Sequence, residues 1–355
     1  MSIKRGRAAA SAAITVLLLV VAGCGSSSST STSASTSQGS ASATTASRPD
    51  QKKLRLAYLS FAVANPYDAP MLAAAKAAAK ANNAEIVVFD ANNDPNTQFS
   101  QLQNVIAPGK QRYDGVIVQP IFGAALVKLA QSAVDQGLKV GNVDQVLGTD
   151  FTTGESQVKG LGANVIFVPV KNGTKMGEQT VAACQAKKTS GACSVGYLYG
   201  VKASTVDKAL RSGFDKAIAA DPNIKVVAKG EGLYSTQGGL DAAQNMLQAN
   251  PNLDIIVGAD QSIAGARQAI KAAGKQVQTV GTGGSALGLQ AVKAGDQVAS
   301  VMQLPATEGG LVVEDLVKAI RTGQDQPSRE PAAQLPQDGV ATKANVSKFN
   351  GEWPG

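Results

Sequence analysis

Leu54-Arg55-Leu56-Ala57-Tyr58-Leu59-Ser60, an alanine-rich run over 66–82, and Glu85-Ile86-Val87-Val88-Phe89-Asp90 together make the stretch that decides the fold. Two apolar runs of strand length flank a segment of helix length. Strands spaced by helices of about 10–15 residues indicate βαβ units and a parallel sheet. Working outward, the pattern predicts a helix over 96–107, a strand over 115–119, a helix over 123–136 and a strand over 138–143. It restarts with a strand over 194–199 and a helix over 205–220. A strand at 224–228, a helix at 236–249, a strand at 253–257 and a helix at 263–273 follow. The run closes with a strand at 277–280, a short helix at 285–294, a strand at 298–303 and a helix at 307–321. The fold class expected is α/β, as two doubly wound, parallel-sheet lobes.

The length of 355 residues agrees, because single cores stop growing near about 300 residues. The formal charge is +7 and the cations are scattered, so nucleic acid is not an expected partner. There is no histidine. That removes Ser-His-Asp and Cys-His nucleophile systems and most zinc sites, so no enzyme, metal or cofactor is expected.

Lys4, Arg5 and Arg7 precede an apolar segment that includes Ile14-Thr15-Val16-Leu17-Leu18-Leu19-Val20, and Val21-Ala22-Gly23-Cys24 follows. Charged, apolar and small-residue regions in that order read as a secretory leader over 1–23. The segment is short for a membrane span. The cysteine after small residues resembles the lipobox of bacterial lipoproteins, which implies that Cys24 is acylated and tethers the protein outside the cytoplasmic membrane. Residues 25–47 use only Gly, Ser, Thr, Ala and Gln, a linker with nothing to bury. With Cys24 lipidated, Cys184 and Cys193 are left as a pair in an oxidising compartment and are expected to form a disulfide.

In open parallel sheets, ligands bind beyond the carboxyl ends of the strands. Asn65-Pro66-Tyr67-Asp68 follows the first strand. Asn before Pro is a helix start in its own right. The same residues also offer hydrogen bonds from Asn65 and Asp68 and a flat face from Tyr67. This motif resembles the sugar-binding type I periplasmic binding proteins, the group that includes ribose-binding protein. Asp90-Ala91-Asn92-Asn93-Asp94-Pro95, Gln101-Leu102-Gln103-Asn104-Val105-Ile106 and Tyr113-Asp114-Gly115-Val116-Ile117-Val118-Gln119-Pro120 extend the resemblance. So do Ala272-Ala273-Gly274-Lys275 and Met302-Gln303-Leu304-Pro305, over roughly 54–330.

The resemblance implies two lobes joined by three crossovers that close on a monosaccharide or polyol and deliver it to an ABC transporter permease. It divides the chain into a first lobe of 53–166 plus 305–333 and a second of 167–304 plus 334–355, working as a monomer. The cleft residues it implies are Asn65, Tyr67, Asp68, Phe122, Asp144 and Gln145 in the first lobe. In the second they are Lys208, Tyr234, Asp260, Gln261, Gly283 and Gln303. Tyr234 reads equally as packing, and Lys208 as a solvated helix residue. Gln145 and Lys208 stand where arginines are usual, Gly283 where an aspartate is, Ala259 where an asparagine is and Asp68 where an aromatic is. These departures point away from ribose and toward another sugar or a polyol. A ligand-presenting sensor subunit for a receptor kinase or chemoreceptor is the alternative, with an identical cleft.

Gly281-Thr282-Gly283-Gly284-Ser285-Ala286-Leu287-Gly288 looks like a nucleotide loop but has Ala286 where the third glycine belongs, and Leu289 where a P-loop has lysine. It is expected to be a close-packed turn lining the cleft. The stretch 146–164 suits either a lid or a plain surface loop. Trp353 lies near the C-terminus, so a weak fluorescence response to ligand would not count against binding.

Overall fold

The computed structural model describes residues 52–187 and 191–355. The leader, Cys24 and the Ser/Thr linker lie outside the described residues. The first sheet has the order β2-β1-β3-β4-β5, with all strands parallel. Its strands are β1 (Leu54–Ser60), β2 (Ala84–Asp90), β3 (Gly115–Val118), β4 (Lys139–Asp144) and β5 (Ala163–Ile166). Every β1 residue except Arg55 is buried, as expected of a central strand covered on both faces.

Helices α1 (Asp68–Ala81), α2 (Pro95–Ile106) and α3 (Gly123–Asp135) follow β1, β2 and β3. On one face Met71, Leu72 and Ala75 of α1 pack with Leu56 and Tyr58 of β1. On the other, Leu102 and Val105 of α2 and Leu126 and Ala130 of α3 pack against Ala57 and Leu59.

The second sheet has the order β11-β10-β9-β8-β6-β7. It comprises β6 (Cys193–Tyr199), β7 (Ile224–Glu231), β8 (Ile255–Ala259), β9 (Gln278–Gly283), β10 (Ala299–Met302) and β11 (Val340–Thr342). All pairs are parallel except β10 with β11. Helices α4 (Pro169–Ala186), α5 (Thr205–Ile218), α6 (Thr236–Ala249), α7 (Asp260–Ala272) and α8 (Ala286–Ala294) surround it.

The chain passes from one sheet to the other between β5 and α4. It returns between β10 and α9 (Pro305–Thr322), whose Val312, Val313 and Leu316 pack in the first lobe's core. After α9, Arg329 bridges to Val165 beside β5, and the chain crosses back to reach β11. The described residues form one compact unit.

Three elements are absent from the sequence reading. β5 and β11 are too short to show a pattern. α4 carries Gly173 and Gly177, poor helix formers. Tertiary contact overrides that penalty: a Cβ on Gly173 would lie 1.9 Å from the Leu210 carbonyl oxygen, and one on Gly213 would lie 2.1 Å from that of Val170. The glycines let α4 and α5 touch backbone to backbone. Cys184 and Cys193 are joined by a disulfide, which ties the end of α4 to the start of β6.

The stretch 146–164 contributes Val146, Leu147, Val158 and Leu161 to the buried interior. The Gln157 side-chain oxygen accepts from the backbone N–H groups of Thr149 and Asp150 at 2.8 and 2.9 Å. No residue of this stretch lines the cavity described next.

Candidate functional site

A cavity of about 90 Å³ lies between the lobes at the carboxyl ends of the strands. A single water needs only about 10–15 Å³ measured this way, so the space suits a small solute rather than an oligomer. The first-lobe wall begins just after β1. The Asn65 side-chain oxygen accepts from the Tyr67 N–H at 2.8 Å, an Asx turn that sets up α1. Tyr67 and Asp68 thereby enter the cavity wall with Asn65 and Phe61.

Asp144 closes β4 with φ 71°, in the left-handed region that Asp tolerates better than most residues. Its Oδ1 accepts from the Tyr67 hydroxyl at 2.8 Å. Gln119, at the end of β3, donates from Nε2 to Asp68 Oδ1 at 2.5 Å and to Asp144 Oδ2 at 3.3 Å. One amide therefore joins the two carboxyl groups. Burial pushes the Asp68 carboxyl up to about 8, with the neighbouring Asp144 adding to it. Burial pushes Asp144 up to about 6, while hydrogen bonds from Tyr67, Gln119 and Gln145 pull the other way.

The second lobe repeats the Tyr–Asp pairing. Tyr234, at φ 47°, donates its hydroxyl to Asp207 Oδ2 at 2.8 Å. Asp207 also accepts from the N–H groups of Gly200 at 2.6 Å and Val201 at 3.0 Å. A Cβ on Gly200 would fall 2.1 Å from the Tyr234 ring, and Tyr234's own strained backbone leaves it little room to move. Gly200→Ala is expected to destabilise the protein by about 1–3 kcal/mol through overpacking. An unchanged urea midpoint would show that Tyr234 can shift freely.

Trp353, from the C-terminal segment, completes the wall. Its indole N–H donates to the Gly283 carbonyl at 2.7 Å, and its ring meets Tyr67 edge to face at 5.4 Å between centroids. Gly283 has φ 129°, and a Cβ there would lie 2.7 Å from Trp353 Cζ2, so glycine is what lets the indole lie here. The adjacent Glu352 carboxylate accepts from the Thr307 N–H at 2.9 Å at the start of α9.

Of the twelve cleft residues expected from the sequence, nine line this cavity: Asn65, Tyr67, Asp68, Asp144, Gln145, Tyr234, Gln261, Gly283 and Gln303. Three do not. Phe122 is 43% exposed, at the start of α3 and outside the lining. Lys208 is exposed on α5, because one helical step turns it away from the face of Asp207 and Leu210 that looks inward.

Asp260 is buried but turned toward the sheet. Its carboxylate accepts from the Ser285 N–H at 2.8 Å, from the Ser300 hydroxyl at 2.9 Å and from Gln297 Nε2 at 3.2 Å. A Cβ on Gly281 or Gly288 would strike that carboxylate at 2.0 or 2.4 Å. The glycine-rich turn is therefore close-packed around Asp260 and lines the cavity through Thr282 and Gly283.

Sequence reasoning missed Gln119, Asp207, Tyr197 and the placement of Trp353. Gln119 carried a signal, a lone amide ending an apolar strand. Trp353 is buried in the cavity wall despite its place near the C-terminus.

A profile of the periplasmic binding protein domain matches residues 56–325. The chain belongs to the periplasmic binding protein family. This binding protein is 30% identical over 273 residues to a xylitol-binding protein of Mycolicibacterium smegmatis, covering 76% of this chain and 71% of that one. It is 27% identical over 265 residues to a D-allose-binding periplasmic protein of Escherichia coli, covering 74% and 83%.

Among solved structures, an ABC transporter solute-binding protein from Actinobacillus succinogenes with bound D-allose superposes with a TM-score of 0.69 at 26% identity, covering 84% of this chain and all of that one, 100%. One from Bacillus halodurans with bound myo-inositol gives a TM-score of 0.72 at 20% identity, covering 86% and 100%, and bears on the fold alone. These relatives are binding proteins, not enzymes.

The raised carboxyl values of this binding protein carry a linkage consequence. A group that binds its proton more tightly folded than unfolded stabilises the fold below its unfolded value of about 4, and loses that contribution as pH rises through its folded value. For Asp68 the window runs from 3.8 to about 8. Asp68→Asn is therefore expected to melt higher than the unaltered protein, with the gap widening from pH 5 to 8 by up to about 1.4 kcal/mol per pH unit. A gap independent of pH would contradict this.

Proposed function

We propose that this chain is the solute receptor of an ABC transporter. It binds a monosaccharide or polyol between its lobes, closes over it by hinge motion and presents it to the membrane permease. The observation that carries the reading is the cavity itself. It is of small-solute size and holds contacts from both lobes, and it combines aromatic faces with carboxyl and amide groups. Carbohydrate hydroxyls both donate and accept, which suits Asn65, Gln145, Gln261 and Gln303. Sugar C–H faces suit Tyr67 and Trp353. A ligand shifts an open–closed balance only by its differential affinity for the two states, so walls from both lobes are what closure requires.

The relatives that bind xylitol and D-allose support the solute class. In this reading the permease meets the closed form outside the membrane, where acylated Cys24 and the linker hold the protein. Mass spectrometry of membrane-extracted protein tests the anchor: an acylated N-terminal Cys24 is expected, and an unmodified N-terminus contradicts it. The binding reading is tested by melting the purified protein across a panel of monosaccharides and polyols. Free ligand at about 100 times its dissociation constant adds about 2.7 kcal/mol. A melting temperature unmoved by every member would contradict the reading.

A further inference from the structure

The cavity carries a charge imbalance that a neutral solute leaves unanswered. Asp68 and Asp144 from the first lobe and Asp207 from the second all line it. Among the described residues no lysine or arginine lines it, and the chain has no histidine. Arg211, one turn along α5 from Asp207, is engaged elsewhere. Its Nε donates to Asp215 at 2.7 Å, and its guanidinium lies 4.8 Å from the centre of the Tyr197 ring.

Near Asp144 lies Glu308, fully buried, and among the described residues neither of its carboxyl oxygens has a hydrogen-bond partner, nor does the buried Tyr58 hydroxyl. Buried carboxylates without a counter-charge are costly, and cations relieve them. The same cavity is walled by Phe61, Tyr67, Phe167, Tyr197, Tyr234 and Trp353. Aromatic faces attract cations as well as sugar C–H groups.

We infer that the solute carries a protonated amine on a hydroxylated frame, an amino sugar or amino polyol, with its ammonium group at the Asp68–Asp144 pair. This rests on the sugar-or-polyol reading and narrows it. An ammonium group has three donors and no acceptor, which matches carboxyl oxygens and would clash with a lysine or arginine clamp.

The pH behaviour follows from the neighbours. Asp68 faces Asp144, Asp90, Tyr58 and Tyr67; Asp144 faces Asp68, Glu308, Tyr58, Tyr67 and Tyr234. All are acids or phenols, so in the empty cleft a proton occupies the place of the missing cation. An arriving ammonium group displaces that proton, and affinity rises with pH for as long as the amine itself stays protonated.

The test is calorimetric titration of the detergent-extracted full chain with matched pairs: glucose and glucosamine, galactose and galactosamine, sorbitol and glucamine, myo-inositol and an inosamine. It is run at pH about 5.5 and about 7, where these amines are still largely ammonium ions, in buffers of different ionisation heat, to count protons. In at least one pair the amine is expected to bind at least about tenfold tighter at the higher pH, the worth of one charge-assisted hydrogen bond. It should release protons and lose most of that advantage at the lower pH. Asp68→Asn, which mimics the protonated acid and so preserves the fold, should narrow the gap within the pair. Neutral members binding as tightly as their amines would overturn the inference and leave the sugar reading standing. An amine preference with no proton release, or one untouched by Asp68→Asn, would also overturn it. Binding by neither class would overturn both.

Discussion

Asp144→Ala is expected to abolish ligand-induced stabilisation without unfolding the protein. Asp144 is buried at the end of β4, where its oxygens meet Tyr67 and Gln119 and its residue faces the cavity. Losing a charged hydrogen-bonding group at a ligand costs about 1.5–3 kcal/mol and more where the partner is left unpaired. That is enough to erase the thermal shift of a modest binder. The empty protein should stay folded, because removing a desolvated carboxyl offsets the lost Tyr67 hydrogen bond. Alanine at φ 71° is strained, so Asp144→Asn is the companion variant: it tolerates the left-handed backbone and removes only the charge. Both variants should melt as folded proteins and fail to respond to ligand. A full thermal shift in Asp144→Asn would remove this residue from the site.

Trp353→Ala is expected to injure fold and site together. The indole is 3% exposed, meets Tyr67 edge to face and hydrogen-bonds the Gly283 carbonyl. Its own backbone carbonyl accepts from the Ala286 N–H at 2.9 Å at the start of α8. Truncating a buried tryptophan typically costs about 3–5 kcal/mol. Here the loss should also unseat the segment that links α8 to the start of α9. Trp353→Phe keeps most of the ring contact and should lose only about 1–2 kcal/mol, for the N–H bond. Urea denaturation separates these outcomes. A loss below about 1 kcal/mol for alanine would show that the segment does not brace the cleft.

The sheets were legible because their strands are short apolar runs punctuated by amphipathic helices, the pattern a doubly wound sheet requires. α4 was not, because its glycines make sense only against α5. Asn65, Tyr67 and Asp68 were legible as a strand-end loop. Asp207 was not, because an acid in the first turn of a helix reads as ordinary capping, and its inward aim depends on Gly200 and Tyr234 from two other loops. Asp260 misled for the opposite reason: a strand-end aspartate was expected in the cleft, yet Ser285, Gln297 and Ser300 hold it in the sheet. Trp353 lies about seventy residues from the Gly283 it touches. No local pattern announces such a contact.

Trp353 is the chain's single tryptophan and forms part of the cavity wall, so its emission reports directly on what enters the cleft. The decisive measurement is a fluorescence titration of the purified protein with a panel of monosaccharides, polyols and their amino derivatives. A saturable change with at least one member, absent in Asp144→Asn, is the result expected. Emission unchanged by every member of the panel would contradict the claim that these two lobes hold a small hydroxylated solute between them.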